Sequence, residues 1–169
     1  MNSETDDVKE WLLRYSEINR NIDNLIQRSE LLRDKAYAPS STQIDGMPHS
    51  KGVNTDKIGA LIAKCDELDA KAKEKIAESR NLYKEIDNTI KKIQGKGSAD
   101  RRAVLQMKYL DLAGWDDVVF MLFGNKADFA DKEESYTRRT FKLHNEALNI
   151  LKDFIPNFCD AENEDITGL

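Results

Sequence analysis

Between Trp11 and Ala36 the seam residues step by four and three in strict alternation: Trp11, Tyr15, Ile18, Ile22, Leu25, Ser29, Leu32 and Ala36. That spacing keeps to one narrow face of a helix over many turns, as in a coiled-coil seam. No proline or glycine occurs before Pro39, and Arg14, Glu17, Arg20, Asp23, Arg28, Glu30 and Arg33 fall on the flanks. The pattern predicts one helix over 6–37. A stripe this narrow cannot enclose a core alone, so the helix requires a partner.

The next segment, "APSSTQIDGMPHSKGVN" at 38–54, has the Pro, Ser and Gly content of a loop. Asn54 or Thr55 can cap a second helix, expected over 56–94. There Ile58, Cys65, Ala72, Ser79, Ile86 and Ile93 recur every seven residues, and Leu61, Leu68 and Leu82 fill the position three further on, with Lys75 and Thr89 as weak members. Ile62, Ile76, Tyr83 and Ile90 widen the stripe. The two helices are expected to fold back as an antiparallel hairpin, an arm spanning 6–94. Ala72, Lys75 and Ser79 leave its seam thin, so a further helix is expected against it, from the C-terminal part of the chain or from a second subunit.

Several function classes are excluded. No run of 18 or more apolar residues exists, so no membrane span is expected. The start, "MNSETDDVKEWLLRY", is acidic where a secretory signal is basic, which points to the cytoplasm. Cys65 and Cys159 have no partner motif and read as free thiols; with only His49 and His144, no multi-histidine metal site can form. GxxxxGK[ST], GxGxxG and GxSxG are absent, and His49 beside Ser50 lacks an acidic partner. The expectation is a non-enzyme without metal or cofactor.

"QGKGSAD", 94–100, marks a boundary: Gly95 and Gly97 end the second helix, and Ser98 or Asp100 can cap the next. Over 99–155 aromatics concentrate and helical pieces shorten; the acidic segment 156–169 reads as a flexible tail. "RRAVLQMKYLDLAGWDDVVFMLFG" reads as helix, turn and buried helix, with Asp116 and Asp117 in a first turn where the helix dipole favours acids. Trp115 is expected to anchor the core. "YTRRTFKLHNEALNILKDF" forms the last helix, with Thr137 as its N-cap and Phe141, His144, Leu148 and Leu151 on the packed face. His144 is expected to be a packed, hydrogen-bonded core residue rather than a ligand.

The start of that helix is basic within a chain of formal net charge −5. Between Tyr136 and Lys152, Arg138, Arg139, Lys142 and Lys152 face a single acid, Glu146. A helix-turn-helix presents the N-terminal part of its second helix to the major groove, where arginine pairs with guanine or phosphate. The candidate DNA-binding residues are therefore Thr137, Arg138, Arg139 and Lys142. Arg101 and Arg102 could touch the backbone where the first helix crosses it.

Three segments carry a resemblance. Met47, Pro48, His49 and Gly52 lie in "GMPHSKG", after the first long helix. "RAVLQMKYLDLAGWDDVVFMLFG" is similar to a sigma-type pattern of arginine-started helix, tyrosine, Trp-containing turn and buried helix. "RRTFKLHNEAL" is similar to a recognition helix. In this order they resemble the ArpU/RinA-like regulators of phages and prophages, whose C-terminal part resembles region 4 of bacterial sigma factors. The resemblance implies an all-α chain with a long helical hairpin and a small sigma region-4-like helix-turn-helix domain. It implies a transcription regulator in a bacterial host cell that binds double-stranded DNA, with the arm used for dimerisation or contact with host RNA polymerase.

Two other readings compete. "GNKADFADKEES", 124–135, lengthens the turn before the last helix, and Asp128, Asp131, Glu133 and Glu134 oppose phosphate. If that segment blocks DNA, the chain is a protein-interaction module. A DNA-packaging recognition protein of the small-terminase kind also combines a helix-turn-helix with a coiled coil, and predicts a ring of subunits.

Overall fold

A computed structural model of the chain describes residues 3–38 and 55–155. Residues 39–54, with Met47, Pro48, His49, Gly52 and Asn54, and the tail 156–169, with Cys159, lie outside the described residues.

The fold is all-α. Helix α1 spans Ser3–Tyr37 and α2 spans Thr55–Lys91. They form the long antiparallel hairpin that the heptad spacing predicts. Three smaller helices follow: α3, Ser98–Leu105; α4, Trp115–Phe123; and α5, Phe129–Leu151. A π turn at Gln106–Leu110 extends α3, and a single 3-10 turn, Lys152–Phe154, closes the described chain. By compactness the chain divides into two units, one formed by the described residues of 1–16 and 81–169, the other by those of 17–80.

In the 17–80 unit the pairing of α1 with α2 is antiparallel residue by residue. Arg33 Nη2 donates to Asp69 Oδ2 at 2.7 Å, Cys65 Sγ to the Ser29 carbonyl at 3.4 Å, and Ser79 Oγ to Asn19 Oδ1 at 2.9 Å. Ile22, Ser29, Ala36, Cys65, Leu68, Ala72 and Ser79 are buried along this seam. The small members allow close approach of the two backbones, and the Cys65 thiol and Ser79 hydroxyl find partners across it. Ile58, Ile62 and Ile26 remain exposed. Cys65 is a free, buried thiol.

In the other unit the base of the hairpin and the C-terminal helices share one core. Val8, Trp11 and Leu12 of α1, Ile86 and Ile90 near the end of α2, Ile93 just beyond it, Leu105, Tyr109 and Leu110, and Ala147, Leu148 and Leu151 of α5 form a single cluster. The C-terminal helices thus pack on the base of the hairpin, and not at Ala72, Lys75 and Ser79, whose thin seam raises the expectation of a further helix. Between α2 and α3 the backbone turns through Gly95 (φ 100°) and Gly97 (φ 77°), a conformation that costs other L-residues energy. Gly97, rather than Ser98 or Asp100, occupies the cap of α3, its carbonyl accepting a bond from the Arg101 amide.

No helix among the described residues is long and apolar enough to cross a membrane.

Candidate nucleic-acid interface

The last helix does not start where its sequence suggests. The spacing places an N-cap at Thr137 after a twelve-residue connection, 124–135. In the structure α5 starts at Phe129, so only Gly124–Asp128 separate it from α4. Thr137 lies inside the helix, and its Oγ1 donates to the Glu133 carbonyl at 2.9 Å, so it cannot cap. Lys132 (φ −126°, ψ 20°) departs from helical geometry and kinks the first turn. The physical reason is aromatic. Phe129 meets Phe120 edge-on at 5.9 Å and stacks on Tyr136 at 5.9 Å, and Tyr136 stacks on Phe123 at 4.9 Å. These four rings fold the acidic segment back onto α4. Their packing against one another outweighs the cap signal of one threonine.

Polar bonds fix the same junction. Tyr136 Oη donates to Asp128 Oδ1, and Lys132 Nζ to Asp128 Oδ2, each at 2.8 Å. The Lys132 ammonium, and then the Tyr136 hydroxyl, hold the Asp128 carboxyl below the usual range. Gly124 closes the end of α4, its N–H donating to the Phe120 carbonyl at 2.7 Å. A Cβ there would lie 2.5 Å from that carbonyl oxygen and 2.7 Å from the Phe120 ring. Gly124→Ala is therefore expected to lower stability by about 1–3 kcal/mol, read as a shifted urea midpoint at unchanged m-value.

The packed face of α5 carries Thr140, His144, Ala147, Leu148 and Leu151, all buried. Thr140 buries its hydroxyl by donating back to the Tyr136 carbonyl at 3.0 Å. His144 is packed and bonded as its position predicts: Nε2 lies 2.9 Å from the Tyr109 hydroxyl, and Trp115 packs edge-on at 5.0 Å. Burial drives the His144 pKa down to about 4 and the Tyr109 hydroxyl up to about 12. With the ring neutral, one of its nitrogens carries a proton and the other accepts, and the tautomer sets which of Nε2 and the Tyr109 hydroxyl donates. Trp115 also lies 4.7 Å from Phe141 and under the Lys108 ammonium, whose Nζ donates to the Ala113 carbonyl at 3.1 Å. That bond braces the turn in which Leu112 takes a positive φ of 55°.

Residues spaced to face away from that core are Ser135, Arg138, Lys142, Asn145 and Asn149, and all are exposed. Their steps of three and four place them on one side of the helix. Asn145 and Asn149 extend the candidate surface beyond Arg138 and Lys142; the same spacing that marks the packed face marks them. Arg138 pairs with Glu134 one turn back, with both side chains largely in water (77% and 83% exposed). Such a pair contributes at most about 1 kcal/mol and opens readily. Arg139 has a different role. Its guanidinium lies over the Phe123 ring, 5.1 Å from the centroid, which ties α5 to α4 from the flank.

Arg101 and Arg102 lie on α3 and are bonded within the protein. Arg101 donates to Glu146 Oε2 through Nε at 3.0 Å and Nη2 at 2.7 Å, and through Nη1 to the Lys96 carbonyl at 2.9 Å. It clamps α3 to α5. Arg102 Nε donates to the Ser98 carbonyl one turn back. The acids at the head of α5 remain: Asp131, Glu133 and Glu134 are exposed there, where an anion would otherwise approach the helix N-terminus. No group of three or more His, Cys, Asp or Glu among the described residues is arranged to hold a metal ion.

Compared with protein-family models, with curated proteins and with solved structures, the chain matches none.

Proposed function

We propose that the chain is a DNA-binding transcription regulator of the phage or prophage type, which holds double-stranded DNA against the outward face of α5. One observation supports this above the others: Arg138, Lys142, Asn145 and Asn149 make a continuous polar and basic strip on a helix whose opposite side is packed into a core. Arginine suits guanine or phosphate, lysine suits phosphate, and asparagine presents a paired donor and acceptor to adenine. The resemblance to ArpU/RinA-like regulators, carried by the segments quoted above, supports the same reading. The hairpin would pair two copies or contact host RNA polymerase, and two copies binding together gain effective concentration on two half-sites.

The acids at the head of α5 set the geometry of this reading. DNA must approach the middle of the exposed face, around Lys142, and not the helix tip, where Glu133 and Glu134 repel phosphate. Binding would release Arg138 from Glu134.

The test is fluorescence anisotropy with duplex DNA from the genomic neighbourhood, across a salt series, for the native chain and for Arg138→Ala/Lys142→Ala. Affinity should fall steeply with salt. The double variant should lose affinity and flatten the log–log slope by about two units, one per lost phosphate contact. No binding at low salt sinks the reading and leaves a protein-interaction module.

A further inference from the structure

We propose that the outward face of α4 is a docking surface for a basic, amphipathic helix of another protein, with Phe120 as the anchor. Phe120 and Met121 are 64% and 66% exposed, the most exposed large apolar side chains among the described residues of the C-terminal unit. They project on either side of the line through Asp117, which lies one turn before both. Phe120 is exposed but not loose. Gly124 seats its ring so closely that an added Cβ would lie 2.7 Å away, and Phe129 packs edge-on against it at 5.9 Å. An aromatic side chain fixed in one position while facing water loses little entropy when a partner covers it. Interface hot spots have that property.

Charge selects the occupant. Asp116 and Asp117 flank the apolar pair on α4, and Asp131 adds an exposed carboxylate at the head of α5, two residues after Phe129. DNA and an anionic lipid surface are repelled by this rim. A second copy docking face to face would carry the same aspartates into the contact, doubling its negative charge, because a two-fold contact uses the same patch on both copies. A helix carrying lysine or arginine beside apolar residues satisfies both the rim and the anchor, and a single projecting aromatic suits a helix that presents residues at i, i+3 and i+4. The proposal does not depend on DNA binding by α5.

The test uses the full chain and a fluorescein-labelled synthetic peptide, about five helical turns long, of leucine and lysine in amphipathic order. A peptide with glutamate in place of lysine and one with the leucine–lysine order scrambled serve as comparisons. The amphipathic basic peptide should bind saturably. Phe120→Ser/Met121→Ser should weaken it at least tenfold, and Met121→Ser alone and Asp116→Asn/Asp117→Asn severalfold, with circular dichroism unchanged in the last two, which leave the ring cluster intact. Arg138→Ala/Lys142→Ala should bind the peptide like the native chain, so failure of the DNA reading is scored separately. Equal binding of the scrambled or glutamate peptide, or native affinity in Phe120→Ser/Met121→Ser, overturns the proposal. So does sedimentation showing a native dimer that the same double variant converts to monomer, since a second copy then occupies the face.

Discussion

Ile90→Ala is expected to destabilise the chain by about 3–4 kcal/mol, within the range for truncating a fully buried isoleucine. Ile90 is 0% exposed and lies in the cluster that joins the base of the hairpin to Leu105, Leu148 and Leu151. Its removal opens a gap in the core shared by the hairpin and α5, and the surrounding helices can close that gap only partly. Native domains are stable by only about 5–15 kcal/mol, so the variant should unfold at a much lower urea concentration. Ile62→Ala is the matched control. Ile62 is 37% exposed, and its truncation should cost no more than about 1 kcal/mol. Equal midpoints for the two variants would contradict the shared core.

Ile62 and Ile90 also show what the sequence holds and what it lacks. They stand in one heptad register, and the spacing assigns both to the same widened stripe. Spacing is local, so it places Ile22, Ala36, Cys65 and Ala72 on the hairpin seam, where they are buried. It does not say which part of the stripe a distant segment will cover. Ile90 is covered because α3 and α5 supply Leu105 and Leu148, and Leu12, which the four-and-three stepping omits, is buried for the same reason. The antiparallel hairpin and the all-α class were therefore legible; the shared core at its base was not, because the thin seam at Ala72, Lys75 and Ser79 pointed to a partner elsewhere along the arm.

The candidate site divides in the same way. Arg138 and Lys142 are readable as outward residues from their distance to His144 and Leu148. His144 is readable as a packed residue. The start of α5 was not readable, because it depends on Phe120, Phe123, Phe129 and Tyr136 meeting in space, and no cap rule encodes that. Arg101 has the local setting of an ordinary basic helix start. Its partner Glu146 is remote in sequence, and only the packing of α3 on α5 brings them together. The exposed Phe120 and Met121 are masked by their setting in "WDDVVFMLF", which reads as buried throughout. Nine residues of helix cannot all face inward, and the outward pair is what the pattern conceals.

Stability should fall between about pH 6.5 and pH 4.5 in the native chain and stay nearly flat in His144→Gln. Burial holds the folded His144 at about 4, against an ordinary value of 6.5. At pH above 6.5 the ring is neutral in both states and its contribution is intact. As pH falls further, the unfolded chain takes up a proton that the folded chain refuses, so the native state loses ground until pH passes the folded value. At about 1.36 kcal/mol per unit, and discounted for residual solvent near the ring, the loss is on the order of 2–3 kcal/mol. Carboxylates act in a lower window. Glu67 beside Lys71, Asp87 beside Lys91 and Asp128 beside Lys132 are held below the usual range, so their contributions are lost only as pH falls through those depressed values. Urea midpoints at about pH 7, 6, 5 and 4.5 measure the slope, which is independent of any fixed cost of the glutamine. A His144→Gln slope as steep as the native one would show that another group titrates there, and that the buried imidazole is not what makes this core acid-sensitive.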